Sequence, residues 1–134
     1  MNSKRLISLL KENDAILEGH FLLTSGKHSN FYIEKFRILE DPTLLNDVCN
    51  SMAKQFMDKN IDIVLGAAIG GILLAGGVGR HLNKRHIFCE RVSGSMELRR
   101  GFNISEGDKV LIVEDIITTG GSVFELIEVA ESYN

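Results

Sequence analysis

Hydrophobic positions along this chain alternate between short unbroken runs and helical spacings. Leu6, Ile7, Leu9 and Leu10 recur at near-helical intervals among charged residues and predict a first helix over Ser3 to Lys11. Two strand-like runs follow, Phe21-Leu22-Leu23 and Phe31-Tyr32-Ile33. The polar stretch Ser25-Gly26-Lys27-His28-Ser29 separates them, so a hairpin with a polar tip is expected. Asp41 and Pro42 have the chemistry of a helix start, an acid at the N-cap and proline at the first helical position. Behind them Leu44, Leu45, Val48, Met52, Phe56 and Met57 mark out a core helix. Ile61 to Leu65 reads as a buried strand ending at Gly66, followed by an Ala/Gly/Leu-rich helix to about Leu82. Arg85 to Cys89 is a further strand candidate. Val110 to Val113 is an apolar run without polar alternation, which predicts a strand buried on both faces. Val123, Phe124, Leu126, Ile127, Val129 and Ala130 then predict a last helix. Strands alternating with helices predict an α/β fold, a mostly parallel sheet with flanking helices.

Composition narrows the class. The chain has 134 residues, one domain's worth, with 44% hydrophobic and 25% charged residues, as in a soluble globular domain. A net charge of −3 argues against nucleic acid as the main partner. No apolar run approaches the length of a membrane span, and the N-terminus reads as an amphipathic helix rather than a signal peptide, so a cytoplasmic protein is expected. Cys49 and Cys89 are far apart and lack metal-ligand spacing, which suits free, partly buried thiols. His20, His28, His81 and His86 form no ligand pattern, and no protein-built metal site is expected.

The chemistry concentrates in Lys109 to Ser122, KVLIVEDIITTGGS. Glu114 and Asp115 stand where the strand ends, and Thr118, Thr119, Gly120, Gly121 and Ser122 lead into the last helix. Glycines let a backbone approach a phosphate closely. Loop N–H groups and the positive end of a helix face an anion. Hydroxyls add donors, and the two carboxylates, being acceptors, suit sugar hydroxyls. A strand merely capped by solvated acids leaves this clustering unexplained. Gly66-Ala67-Ala68-Ile69-Gly70-Gly71 is a second small-residue loop between strand and helix, an anion site by geometry or simply a tight turn. It has neither the Walker ending nor dinucleotide spacing. Val92 to Asn103 combines Ser93-Gly94-Ser95 with Arg99 and Arg100, after Arg91. It reads as a mobile lid whose guanidinium groups meet a polyanion, or as a solvated basic hairpin.

EDIITTGGS resembles the phosphoribosyl-pyrophosphate (PRPP) signature of type I phosphoribosyltransferases, and GHFLLTSGKHSNFYIEK resembles the N-terminal hood of orotate phosphoribosyltransferases. The resemblance implies a single phosphoribosyltransferase domain over 1–134, with the hood at about 14–40 and a PRPP-binding core at about 41–134. Family members continue further, so the chain looks C-terminally truncated. The implied reaction is magnesium-dependent transfer of phosphoribose from PRPP to orotate, with Mg2+ carried mainly by PRPP and water. On this reading Asp115, Glu114 and Arg91 are catalytic. PRPP is held by Glu114, Asp115, Ile116, Ile117, Thr118, Thr119, Gly120, Gly121 and Ser122, with Gly70, Gly71, Arg99 and Arg100 at the pyrophosphate. Orotate is held by Thr24, Ser25, Gly26, Phe31, Tyr32 and Thr118. Some family members carry a lysine where Thr24 stands, and others a lysine where Gly70 stands. The resemblance also implies a homodimer in which the loop at Arg91 to Arg100 completes the partner's site, with no nucleic-acid or membrane partner. The rival readings are a phosphoribosyltransferase for a purine base and a non-catalytic PRPP-binding regulatory module.

Overall fold

A computed structural model describes residues 1–133, which form two compact units, Met1–Leu45 and Asn46 onward. In the first, α1 spans Ser3–Glu12 and is opened by Asn2, whose Oδ1 accepts from the Arg5 N–H at 2.9 Å. β1, Ile16–Leu22, pairs antiparallel with β2, His28–Ile33, with an irregularity in register between Glu18 and Phe21. Both strands are longer than their apolar runs, because most of the hairpin is exposed and polar residues fit it at little cost. A short α2, Phe36–Leu39, buries Ile38 and Leu39.

α3, Pro42–Lys54, starts where the acid-proline pair placed it. The Asp41 carboxylate accepts from the N–H groups of Thr43 and Leu44, both at 2.9 Å, and so satisfies two donors that the helix itself leaves open. The helix stops before the apolar spacing does. Gln55 and Phe56 tighten into three-residue turns onto Met52 and Ala53. Met57, expected in the core, is therefore 69% exposed.

The second unit is a layered α/β domain. Its strands are β3 (Ile63–Ala67), β4 (Arg85–Val92), β5 (Ser95–Leu98) and β6 (Val110–Val113). Their order is β5-β4-β3-β6, with β3 parallel to both β4 and β6, and β5 antiparallel to β4. α4, Gly70–Leu82, packs on one face of the sheet, and α5, Gly121–Glu131, on the other. Ile63, Leu65, Ala67, Ile87, Cys89, Ile104 and Leu126 form the core on the α5 side. Burying a side chain such as Leu65 completely contributes about 2 kcal/mol.

Two expectations are settled here. β6 is not buried on both faces: Leu111 and Val113 are buried, Val110 and Ile112 only partly. It has a strand neighbour on one side only among the described residues, and the fully buried strand is the central β3. The segment read as a mobile lid or a basic hairpin is a paired hairpin. Ser93 and Gly94, with φ of 50° and 87°, form a two-residue turn that matches the twist of β4 and β5.

Gly66 explains how α4 reaches the sheet. A Cβ there would land on the Gly71 carbonyl oxygen, 2.8 Å from its carbon and 3.0 Å from the Ala75 Cβ. Only glycine admits the helix start this close to β3.

Candidate active site

Parallel pairing decides what meets what. β3, β4 and β6 run the same way, so the chain leaves Ala67, Val92 and Val113 at the same end of the sheet. In open α/β sheets that end is where ligands bind. The loop after β3 brings Gly70 and Gly71 there, both buried, with a cis peptide between Ala68 and Ile69. A Cβ on Gly71 would lie 3.5 Å from the Val113 carbonyl, so the start of α4 adjoins the end of β6.

After Val113 the carboxylates turn back on the chain. A Glu114 carboxylate oxygen accepts from the Asp115 N–H at 3.0 Å, and Asp115 Oδ1 accepts from the Ile116 N–H at 2.8 Å. Such local bonds hold an acidic side chain at a strand end. Ile116, Ile117, Thr118 and Thr119 are exposed. Gly120 then takes φ 83°, a left-handed conformation, and opens α5 without a side-chain cap. The Gly121 N–H donates to Thr119 Oγ1 at 3.4 Å, and Gly120 supplies no side-chain oxygen for the N–H groups behind it, which suits an anion in the loop. The loop encloses a cavity of about 200 Å3 lined by Ile116 to Val123 and by Glu125. At about 30 Å3 per water that space holds a phosphate group with part of its hydration.

The arginines are not free. Arg91 donates to both carboxylate oxygens of Glu125, at 2.9 and 3.0 Å, and to the Gly94 carbonyl at 2.8 Å. This hydrogen bond from Arg91 holds the Glu125 carboxyl below the usual carboxylate range, and the Arg91 guanidinium is pushed up in turn. Arg100 donates to Glu90 at 2.6 and 3.1 Å, and Arg99 lies 4.0 Å from the same carboxylate. Glu90 is likewise held down, first by the Arg100 hydrogen bond, and Arg100 is raised by it. Glu90 and Arg91 are successive strand residues and face opposite sides of β4. Arg91 therefore reaches the wall of the loop cavity through Glu125, whereas Arg99 and Arg100 are held at Glu90. The guanidinium groups read as meeting a polyanion are engaged in ion pairs with Glu125 and Glu90.

Within the first unit, Thr24, Ser25 and Gly26 form the hairpin tip, with Gly26 at φ 80° and its N–H bonded to the Leu23 carbonyl at 2.9 Å. Phe31 and Tyr32 are both exposed on β2, but they do not share a face. Phe31 lines an apolar cavity of about 490 Å3 with Ile7, Leu10 and Ile33, while Tyr32 stacks near Phe21 at 5.8 Å. His20 Nε2 and His28 Nδ1 lie 2.7 Å apart and clip the strands below the tip. Neither histidine was singled out from the sequence. Glu125 was missed too; its only signal is a place in the helix that follows Ser122.

Adjacent carboxylates, an uncapped helix start and a glycine loop at the end of a parallel sheet define a sugar-phosphate-binding α/β protein. A family model described as phosphoribosyl transferase domain matches residues 37–134. The chain is 51% identical over 133 residues to the orotate phosphoribosyltransferase of Caldicellulosiruptor saccharolyticus, covering 99% of this chain and 70% of that protein. Among solved structures, Leishmania donovani UMP synthase superposes with a TM-score of 0.82 at 26% identity, over 100% of this chain and 29% of that one. Orotate phosphoribosyltransferase from Aeropyrum pernix superposes with a TM-score of 0.73 at 28% identity, over 95% of this chain and 73% of that one. The chain belongs to the phosphoribosyl transferase family, among the orotate phosphoribosyltransferases.

Proposed function

We propose that this chain transfers phosphoribose from PRPP to orotate, giving orotidine 5′-phosphate and pyrophosphate. The observation that carries the reading is the loop from Glu114 to Ser122 at the end of β6, with paired carboxylates at one end and an uncapped helix start at the other. In the reaction the bond from the anomeric carbon to pyrophosphate breaks and its electron pair leaves with pyrophosphate. The orotate ring nitrogen forms the new bond, and its proton passes to solvent. The anomeric carbon becomes cation-like, so catalysis rests on positioning and on charges placed beforehand. Thr118 to Ser122 hold the 5′-phosphate. Glu114 and Asp115 accept from the ribose hydroxyls, and Asp115 stands nearest the developing positive charge. Gly70 and Gly71 offer backbone to the pyrophosphate, with positive charge available from Arg99 and Arg100. The hood residues Thr24, Ser25, Gly26, Phe31 and Tyr32, and Thr118, are assigned to orotate.

Magnesium suits this donor set only as a shared ion. No group of three or more His, Cys, Asp or Glu side chains among the described residues can hold a metal, and a hard cation takes six or more oxygens. PRPP oxygens and water would supply most of them, beside Glu114 and Asp115, and the ion would neutralise the pyrophosphate. We further propose a cytoplasmic homodimer. No helix among the described residues is long and apolar enough to cross a membrane. Phe124, 64% exposed on α5, is apolar surface that a second copy would cover.

Calorimetry with Mg-PRPP followed by orotate, with turnover read from orotate absorbance, tests the function. The expected result is PRPP binding and orotate consumption, with no turnover of adenine or hypoxanthine. Turnover of a purine base instead would refute the assignment, and PRPP binding without any turnover would identify a regulatory module. Asp115→Asn is expected to lower turnover on the order of a hundredfold, the scale of a lost charge placed for the transition state, with folding kept. Full activity of that variant would remove the role.

A further inference from the structure

We propose that Glu125 is an electrostatic gate on the phosphate cavity and that Arg91 acts on the reaction by neutralising it, as a positioning residue rather than by touching the substrate. The inference rests on the PRPP reading of the loop. A carboxylate in the wall of a cavity built for a phosphate is a misfit: two anions in a confined space repel, and the repulsion grows as water is excluded. Helix capping does not explain it, because Glu125 is the fifth residue of α5 and the first turn of that helix has no acid. What fixes Glu125 is tertiary: Arg91 arrives from the end of β4, 34 residues away in sequence, and binds both carboxylate oxygens. Arg91 is itself anchored by the Gly94 carbonyl in the β4–β5 turn. Glu125 also lines a second cavity of about 350 Å3 with Gly94, Ser95 and Met96, so its carboxylate is common to that space and the phosphate loop. The lowered proton affinity of Glu125 agrees with a carboxylate that stays charged and guanidinium-bound.

The two possible roles of Arg91 separate in a double-mutant cycle. If Arg91 neutralises Glu125, Arg91→Gln exposes an unpaired carboxylate to the incoming phosphate, and removing that carboxylate as well repairs the site. If Arg91 contacts PRPP itself, or if the ion pair is merely structural, the double variant stays as weak as the single one. The probes are Mg-PRPP, ribose 5-phosphate and inorganic phosphate, measured by calorimetry on the wild type, Arg91→Gln, Glu125→Gln and the double variant, with circular dichroism to confirm folding. Arg91→Gln is expected to weaken binding roughly tenfold, within the usual range for coupled charged neighbours. Glu125→Gln is expected to bind as tightly as the wild type or tighter, and the double variant to return to within about threefold of wild type. A double variant as weak as Arg91→Gln would overturn the proposal, as would an Arg91→Gln that binds normally. Should Arg91→Gln fail to fold, Arg91→Lys serves: it keeps the charge, and a loss above about tenfold there would refute neutralisation as the role. A wild type that binds none of the three probes would instead refute the PRPP reading, whatever the variants do.

Discussion

Two neighbouring glycines in α4 are expected to respond to the same substitution with opposite signs. Gly76 and Gly77 both lie inside the helix, where alanine is favoured over glycine by about 1 kcal/mol. At Gly76 a new Cβ would meet only the His86 ring, at 3.7 and 3.8 Å, which is ordinary contact. Gly76→Ala should therefore realise most of the helical gain and stabilise the chain by about 0.5–1 kcal/mol. At Gly77 the Cβ would fall on the Cys49 Sγ and 2.8 Å from the Cys49 Cβ. Cys49 is wholly buried on α3 and bonded through its thiol to the Leu74 carbonyl, so it has little room to yield. Forcing a methyl group into a filled core costs about 1–3 kcal/mol, occasionally more, and outweighs the helical gain. Gly77→Ala should thus lose up to about 2 kcal/mol net, leaving the two variants about 1–3 kcal/mol apart. Urea unfolding with a common m-value measures the difference, and the Tm values should separate by roughly 4–12 °C in a chain of this length. Gly77→Ala as stable as Gly76→Ala would show that α3 and α4 are not in contact there.

The cysteines make stability depend on alkaline pH. Burial pushes both thiols up, from 9.0 to about 11, with Arg80 only partly opposing the effect at Cys49. The unfolded thiols ionise first, so stability is complete below pH 9 and falls between 9 and about 11. The slope is about 1.4 kcal/mol per pH unit for each cysteine, to be read from urea midpoints across that range. A flat profile would refute the burial argument, and Cys89→Ala should halve the slope. On the acid side, Glu125 and Glu90 are held down by Arg91 and Arg100, so what they add is present above the ordinary carboxylate range and is lost only as pH falls through their lowered values. Gly66→Ala is expected to cost about 3 kcal/mol and to weaken PRPP binding, because a Cβ there displaces the start of α4 that carries Gly70 and Gly71. Wild-type urea midpoint and affinity in that variant would refute the close-approach argument.

What was legible from the sequence is what local chemistry decides. Asp41 and Pro42 mark the start of α3 because the cap is made by a side chain two and three residues from its donors. The Glu114 to Ser122 loop was legible for the same reason: its acids bond to the next N–H, and its glycine sets its own φ. The misreadings share the opposite property. The burial of β6 depends on which strands flank it, and an apolar run of four residues says nothing of that. Met57 keeps the helical spacing but lies past the last turn of α3. That Phe31 and Tyr32 face opposite sides of β2 was legible from period-two alternation alone.

The arginines are the sharpest case. The partners of Arg100 and Arg91 lie 10 and 34 residues away, so local sequence gave no sign of the ion pairs that the fold makes. The same distance hid Glu125, which has no local signature of a binding residue. It becomes visible only when parallel pairing brings the ends of β4 and β6 to one end of the sheet and sets α5 beside them. The motif is read from neighbouring residues, whereas the Arg91–Glu125 pair beside it joins a strand to a distant helix and has to be read from the pairing of the sheet.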